Sequence, residues 1–246
     1  MYYLALSYCD LGRYQEAMDL LEKTFEASQK TLGSEHPDTL RAMNYLATSY
    51  RDLGRHQEAM ELREKTFEAR QRTLGSEHPD TLATMTGLAN IYSDLGRRQE
   101  AMELEEKTLE ASQRTLGVEH PNTLVAMNNL AVSYSDLGRH QDAVHLKEKT
   151  FEASQRTLGS EDPDTLRAMY NLARSYSRLG RHQEAIALSR KAFEGRKRIL
   201  GSEHPYTVSS MNLLERCIKK SIKAKSDPQE KQSKIRKIFN SILPSR

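Results

Sequence analysis

Cysteine is nearly absent from this 246-residue chain: Cys9 and Cys217 stand near opposite ends and form no metal-ligand spacing. That excludes a disulfide framework and gives no zinc site, so no metal is expected and a reducing, cytoplasmic setting is. No stretch approaches the roughly 18 consecutive apolar residues that a membrane span needs. Nor is there a Gly-rich phosphate loop after a strand, a nucleophile elbow, or a Cys/His pair at useful spacing. The sequence gives no support for an enzyme or a cofactor. Proline and glycine are few, 7 and 12 residues, and most of them fall in register.

Pro37, Pro79, Pro121, Pro163 and Pro205 stand 42 residues apart. Glycines keep the same beat at Gly12, Gly54, Gly96, Gly138 and Gly180, and again at Gly33, Gly75, Gly117, Gly159 and Gly201. A period in this range means stacked supersecondary units, none able to bury its apolar face alone, with function on an extended surface. The opening MYYLALSYCDLGR aligns with MNYLATSYRDLGR at 43–55, so it reads as repeat and not as a leader.

One unit, residues 36–75, reads as two helices. Pro37 suits a first helical position, where its missing N–H would be unpaired anyway. Met43, Leu46, Ala47 and Tyr50 fall at i, i+3, i+4 and i+7, one stripe facing a neighbour. Asp52-Leu53-Gly54-Arg55 breaks the helix, because glycine takes the left-handed conformation without strain. The second helix, near 56–73, places Ala59, Met60, Leu62, Thr66, Phe67 and Ala69 inside, with Glu58, Glu61, Glu64, Lys65 and Glu68 outside. Recurrent alanines, Ala5, Ala47, Ala89, Ala131 and Ala173 on first helices and Ala17, Ala59, Ala101, Ala143 and Ala185 on second ones, mark the close approaches. Tyr8, Tyr50, Tyr92, Tyr134 and Tyr176 read as packing residues.

The run NLAVSYSDLGRHQDAVHL at 129–146 resembles the core of a tetratricopeptide repeat. With the 42-residue spacing and LGSEHPDTL at 32–40 and 74–82, it is similar to the long variant found in kinesin light chains. EKTFEARQRTLGSEHPDTL at 64–82 resembles arrays that follow a nucleotide-binding domain in fungal proteins. The resemblance covers about residues 1–217 and implies an all-α, right-handed superhelical solenoid of antiparallel helix pairs. Two departures stand out. Leu21, Arg63, Glu105, Lys147 and Ser189 replace a tyrosine late in the second helix, and Thr24, Thr66, Thr108 and Thr150 precede Ala192 at a small position. No heptad region precedes the repeats, so fold transfers and motor function does not.

The first unit begins at the equivalent of Met43, which predicts a fragment or a covered first helix, and an isolated chain that either self-associates through residues 1–31 or frays there. Residues 205–220 read as a capping helix, 218–228 as a basic linker, and 229–243 as a basic amphipathic helix. In that last segment Ile235, Ile238, Phe239, Ile242 and Leu243 take helical spacing among Lys231, Lys234, Arg236 and Lys237. Residues 216–246 hold 10 Lys/Arg against 2 Asp/Glu, leaving 27 against 32 in the body, so a tail of +8 follows an array of −5. Such a tail suits a solvated helix end, a membrane surface or a nucleic acid, although one aromatic, Phe239, is little for base stacking.

His36, His78, His120 and His204 recur in the turn before proline, each in a different repeat, with Asp162 in the fourth. Successive turns are a repeat width apart, so these residues read as helix starts and not as ligands. Glu16, Glu58, Glu100, Asp142 and Glu184 form a carboxylate row without the asymmetry that catalysis needs. Variation between copies points elsewhere. Opposite the packed stripe of the first helix lies a variable one, Asn44, Thr48 and Arg51 in the second unit. In the resembling family this face lines a concave groove, which implies that Asn44, Asn90, Asn128, Asn129 and Asn171 bind a peptide backbone. It likewise implies that Arg41, Arg167 and Arg174 hold acidic side chains. The expectation is a non-catalytic scaffold binding an extended, acidic peptide or partner protein, as part of a larger fungal-type immune or regulatory protein. The alternatives are a kinesin light chain-like cargo adaptor, and binding of nucleic acid or anionic membrane through the basic tail.

Overall fold

A computed structural model describes residues 4, 7, 8, 11 and 13–225. The amphipathic helix expected at 229–243 and most of the expected first helix of the array lie outside them. Ten helices and no strand occur among the described residues: α1 Tyr14–Leu32, α2 Pro37–Asp52, α3 His56–Leu74, α4 Pro79–Asp94, α5 Arg98–Leu116, α6 Pro121–Asp136, α7 His140–Leu158, α8 Pro163–Arg178, α9 His182–Leu200 and α10 Pro205–Lys225. The chain forms two compact units, one up to Leu137 and one from Gly138. In the first, each of α1 to α6 packs on the next; in the second, α7 to α10 do the same. Within each unit, short turns make consecutive helices antiparallel.

The helix starts follow from the HPDT turn. Nδ1 of His36, His78 and His120 accepts the N–H of Asp38, Asp80 and Asn122 at 3.2, 3.1 and 3.2 Å. Asp162 does the same for Asp164 at 2.8 Å, which is why acid and imidazole interchange there. Each satisfies one of the otherwise orphaned first-turn donors, worth about 1 kcal/mol. Gly54, at φ 77°, turns the chain between α2 and α3, and Gly75, at φ 92°, ends α3. A side chain at either would be strained.

The DLGR arginine fastens the turn from both sides. Arg55 and Arg97 lie 4.3 Å over the rings of Tyr50 and Tyr92, and their Nε atoms donate to Glu58 and Glu100 at 2.9 and 2.7 Å. Arg181 repeats the arrangement with Tyr176 and Glu184. The carboxylate row is thus held by arginine, one repeat at a time.

The tyrosines do more than pack. Tyr50, Tyr92, Tyr134 and Tyr176 donate to Glu22, Glu64, Glu106 and Glu148 of the preceding second helix at 2.7 to 2.8 Å. Glu64, expected outside, is half-buried for this reason. Burial first, and the adjoining carboxylate second, push Tyr50, Tyr92 and Tyr176 up to about 12.

Ala47, Ala89, Ala131 and Ala173 are fully buried, as are Ala17, Ala59, Ala101 and Ala185. At the other end α10 runs through Lys225, so the stretch read as a linker from 218 is helical that far. Its Leu214, Ile218 and Ile222, one turn apart, form a buried stripe against Ile186, which extends the helix beyond 220.

Candidate functional site

The groove residues named from sequence lie on first helices, but their surroundings differ. Asn44 is half-buried and its Oδ1 accepts from Arg63, a buried residue of α3. Asn90, Asn128, Asn129 and Asn171 are also half-buried. Arg41 is exposed and paired with Asp38, and Arg167 pairs with Asp164 at 3.0 Å. Arg174 is exposed, with its guanidinium 6.0 Å from the Tyr170 ring centre.

Arg167 and Asn171 come together in a cleft of about 440 Å³ in the second unit. It is lined by Pro163, Asp164, Leu166, Arg167, Tyr170 and Asn171 of α8, by Arg196, Ile199 and Leu200 at the end of α9, and by Tyr206 and Ser209 of α10. Arg41, Asn44, Asn90, Asn128, Asn129 and Arg174 do not line it.

Arg196 holds the centre. It is only 7% exposed, and its Nη1 donates to the Tyr206 carbonyl at 3.1 Å and to Ser210 Oγ at 2.9 Å. Its guanidinium lies 5.0 Å from the Tyr170 ring and 5.5 Å from the Tyr206 ring. Burial pushes its pKa down, partly offset by the two tyrosines and reinforced by the like charge of Arg167. A guanidinium in that setting attracts an anion.

The same cleft recurs two repeats earlier with other residues. There Ala83, Thr86, Ser112 and Asn122 stand in the registers of Arg167, Tyr170, Arg196 and Tyr206, and the volume is about 210 Å³. Arg70 shares the register of Arg196, with Nη1 donating to the Asp80 carbonyl and to Thr84 Oγ1, both at 2.8 Å. There Asp80 stands where Tyr206 stands beside Arg196, and its charge acts on Arg70. Arg196 and Tyr206 escaped the sequence reading, which sought groove residues on the first helices of the repeats and read 205–220, where Tyr206 stands, as a cap. A signal for Arg196 was present: its register, Ser28, Arg70, Ser112, Ser154 and Arg196, is one of those that vary between second helices.

No group of three or more metal-ligating side chains occurs among the described residues, and none of their helices is long and apolar enough to cross a membrane.

A family profile described as the tetratricopeptide repeat matches residues 1–66, 42–114, 106–156, 126–198 and 164–218. No curated protein matches the sequence. Among solved structures, nearly identical tetratricopeptide-like repeats of a kinesin light chain candidate from Podosopora anserina are 38% identical, with 81% of this chain and 94% of that one covered and a TM-score of 0.71. BtubC (BKLC) from P. vanneervenii is 20% identical over 95% and 94% of the two chains, with a TM-score of 0.74. A signal-transduction ATPase with a tetratricopeptide repeat sensor, from Pyrococcus horikoshii, is 14% identical, with a TM-score of 0.73. This chain is covered over 99% of its length there and spans 35% of that protein.

Proposed function

We propose that this chain, which belongs to the tetratricopeptide repeat family, recognises an extended acidic segment of a partner protein and anchors it at Arg196. The family's repeats serve as protein-interaction scaffolds, and the site chemistry supplies the choice of ligand. The observation that carries it is the buried Arg196 guanidinium between Tyr170 and Tyr206, with Arg167 beside it. The corresponding arginine of an earlier repeat has the charge of Asp80 at hand instead. A carboxylate arriving there gains a charge-assisted hydrogen bond in a partly desolvated site, and Leu166, Ile199 and Leu200 accommodate an apolar neighbour. Arg167 would exchange its exposed partner Asp164 for the ligand at little cost.

Within each unit the first-helix face supplies further contacts, from Arg41, Asn44, Asn90, Asn128 and Asn129 in one and Asn171 and Arg174 in the other. Asparagine suits this role because its amide both donates to and accepts from a peptide backbone. The array then acts in the cytoplasm as the sensing or adaptor part of a larger regulatory protein. The likeness to the kinesin light chain candidate and to the ATPase sensor supports that reading.

The test uses fluorescent peptides in which an acidic residue adjoins a large apolar one, with charge-reversed peptides as controls. Arg196→Ser and Arg167→Ala install the residues that other repeats carry at these registers, Ser112 and Ala83, so the fold should persist. Together they should weaken binding about tenfold or more. Full affinity in the double variant, or equal affinity for charge-reversed peptides, would refute the proposal. Binding that disappears with salt yet ignores both substitutions would assign recognition to the basic tail instead.

A further inference from the structure

Second helices vary sharply at one position, which holds Leu21, Arg63, Glu105, Lys147 and Ser189 in turn. All five are buried, at 2, 5, 6, 8 and 0% exposure. Leu21 shows that an apolar residue fills the site. A guanidinium, a carboxylate and an ammonium group there each carry a heavy desolvation penalty unless their partners are matched.

Each finds polar partners, although Arg63 Nε and Glu105 Oε2 stay without one among the described residues, and the partners differ between interfaces except that Glu105 and Lys147 both meet a serine of one register. Leu21 clusters with Leu46, beside Tyr45. Arg63 donates to Asn44 Oδ1 and, at 2.9 Å, to Thr48 Oγ1, and it lies against Gly87 of the following first helix. A Cβ on Gly87 would come within 2.7 Å of the guanidinium carbon. Glu105 is hydrogen-bonded to Ser133, and Lys147 Nζ donates to Ser175 Oγ at 2.9 Å. Ser189 is hydrogen-bonded to Cys217. The register of Gly87 is Tyr45, Asn129, Asn171 and Leu213 elsewhere, and that of Ser133 is Ile91 on α4.

We infer that this buried position is a partial address: it disfavours pairing of a second helix with most first helices other than the one that follows it, and so biases near-identical repeats toward one stacking order. Without it, the recurrent alanines, tyrosines and glycines would let one second helix pair with several first helices, within a chain or between two copies. Wrong pairing is penalised by the residues present. Arg63 set against α6 would meet Asn129 instead of glycine, and Glu105 set against α4 would meet Ile91 instead of a hydroxyl. Buried polar residues that trade stability for a unique register act by this physics in other helical assemblies.

The experiment transplants the Arg63–Gly87 match to the next interface of the full chain, with Glu105→Arg, Asn129→Gly and the two combined. In its own repeat the introduced guanidinium has Thr86 and Asn90 at the registers of Asn44 and Thr48, both able to accept. Glu105→Arg alone should lower the thermal midpoint by about 5 °C or more, or prevent folding. Adding Asn129→Gly should recover at least half of that loss. Additive effects, or a double variant that also fails to fold, would overturn the inference. A second arm erases the charged addresses with Arg63→Leu, Glu105→Leu and Lys147→Leu together. Refolded at on the order of 100 μM, this variant should form more dimer or larger species than the parent chain by light scattering. Refolding as cleanly as the parent would equally count against it.

Discussion

At the scale of single residues, the chain keeps ionisable side chains where water is excluded, and Glu105 is the most exposed to consequence. Its Oε2 is buried without a hydrogen-bond partner among the described residues. Burial pushes its pKa up to about 7; Ser133 pulls it down and Asp136 adds like-charge repulsion. Below the ordinary carboxylate range both folded and unfolded chains carry the proton. Between about 4.5 and 7 the unfolded chain has lost it while the folded chain keeps it, so stability falls as pH rises through that window and is flat above it. Glu105→Gln should therefore stabilise the protein at pH 8 by about 1–3 kcal/mol and change little at pH 4. Urea midpoints at the two pH values measure this, and an equal effect at both would remove Glu105 as the cause. Arg196 shows the limit of sequence reading at this scale. That it stood out from Ser28, Ser112 and Ser154 was visible, but that Tyr170 and Tyr206 enclose it was not.

At the scale of the element, what decides stability is where two helices touch. Ala131 of α6 is fully buried, whereas Asn128, one turn away, is half-buried on the variable face. Ala131→Trp forces α6 from its neighbour and should cost about 3 kcal/mol or more, while Asn128→Ala should cost less than about 1 kcal/mol. Comparable losses in chemical denaturation would mean that the two faces have been exchanged. The helix bounds were legible because their causes are local. Proline, the histidine or aspartate cap and the glycine turn each act within a few residues, and the helices begin and end where those signals stand. Glu64, which receives the Tyr92 hydroxyl, was read as solvent-facing, since its partner lies 28 residues away in sequence.

At the scale of the molecule, each helix pair of an array depends on what packs against it, and α10 packs on the pair α8–α9. Leu213 and Cys217 complete the cluster of Leu172, Ala173, Tyr176 and Ala185. Ending the chain after Gly201 should uncover it, lower the thermal midpoint by about 5 °C or more, and speed amide exchange in α8 and α9. Unchanged exchange there would show that α10 is dispensable. The 42-residue period, the helix pairs and the packing alanines follow from the sequence alone, because hydrophobic periodicity and chain-breaking residues act locally. The tertiary structure decided the rest: which charges are buried, which carboxylates are already engaged, and which of two homologous clefts carries an arginine between tyrosines. Those depend on side chains that meet only when one repeat stacks on the next, and no spacing along the chain encodes the desolvation they undergo there.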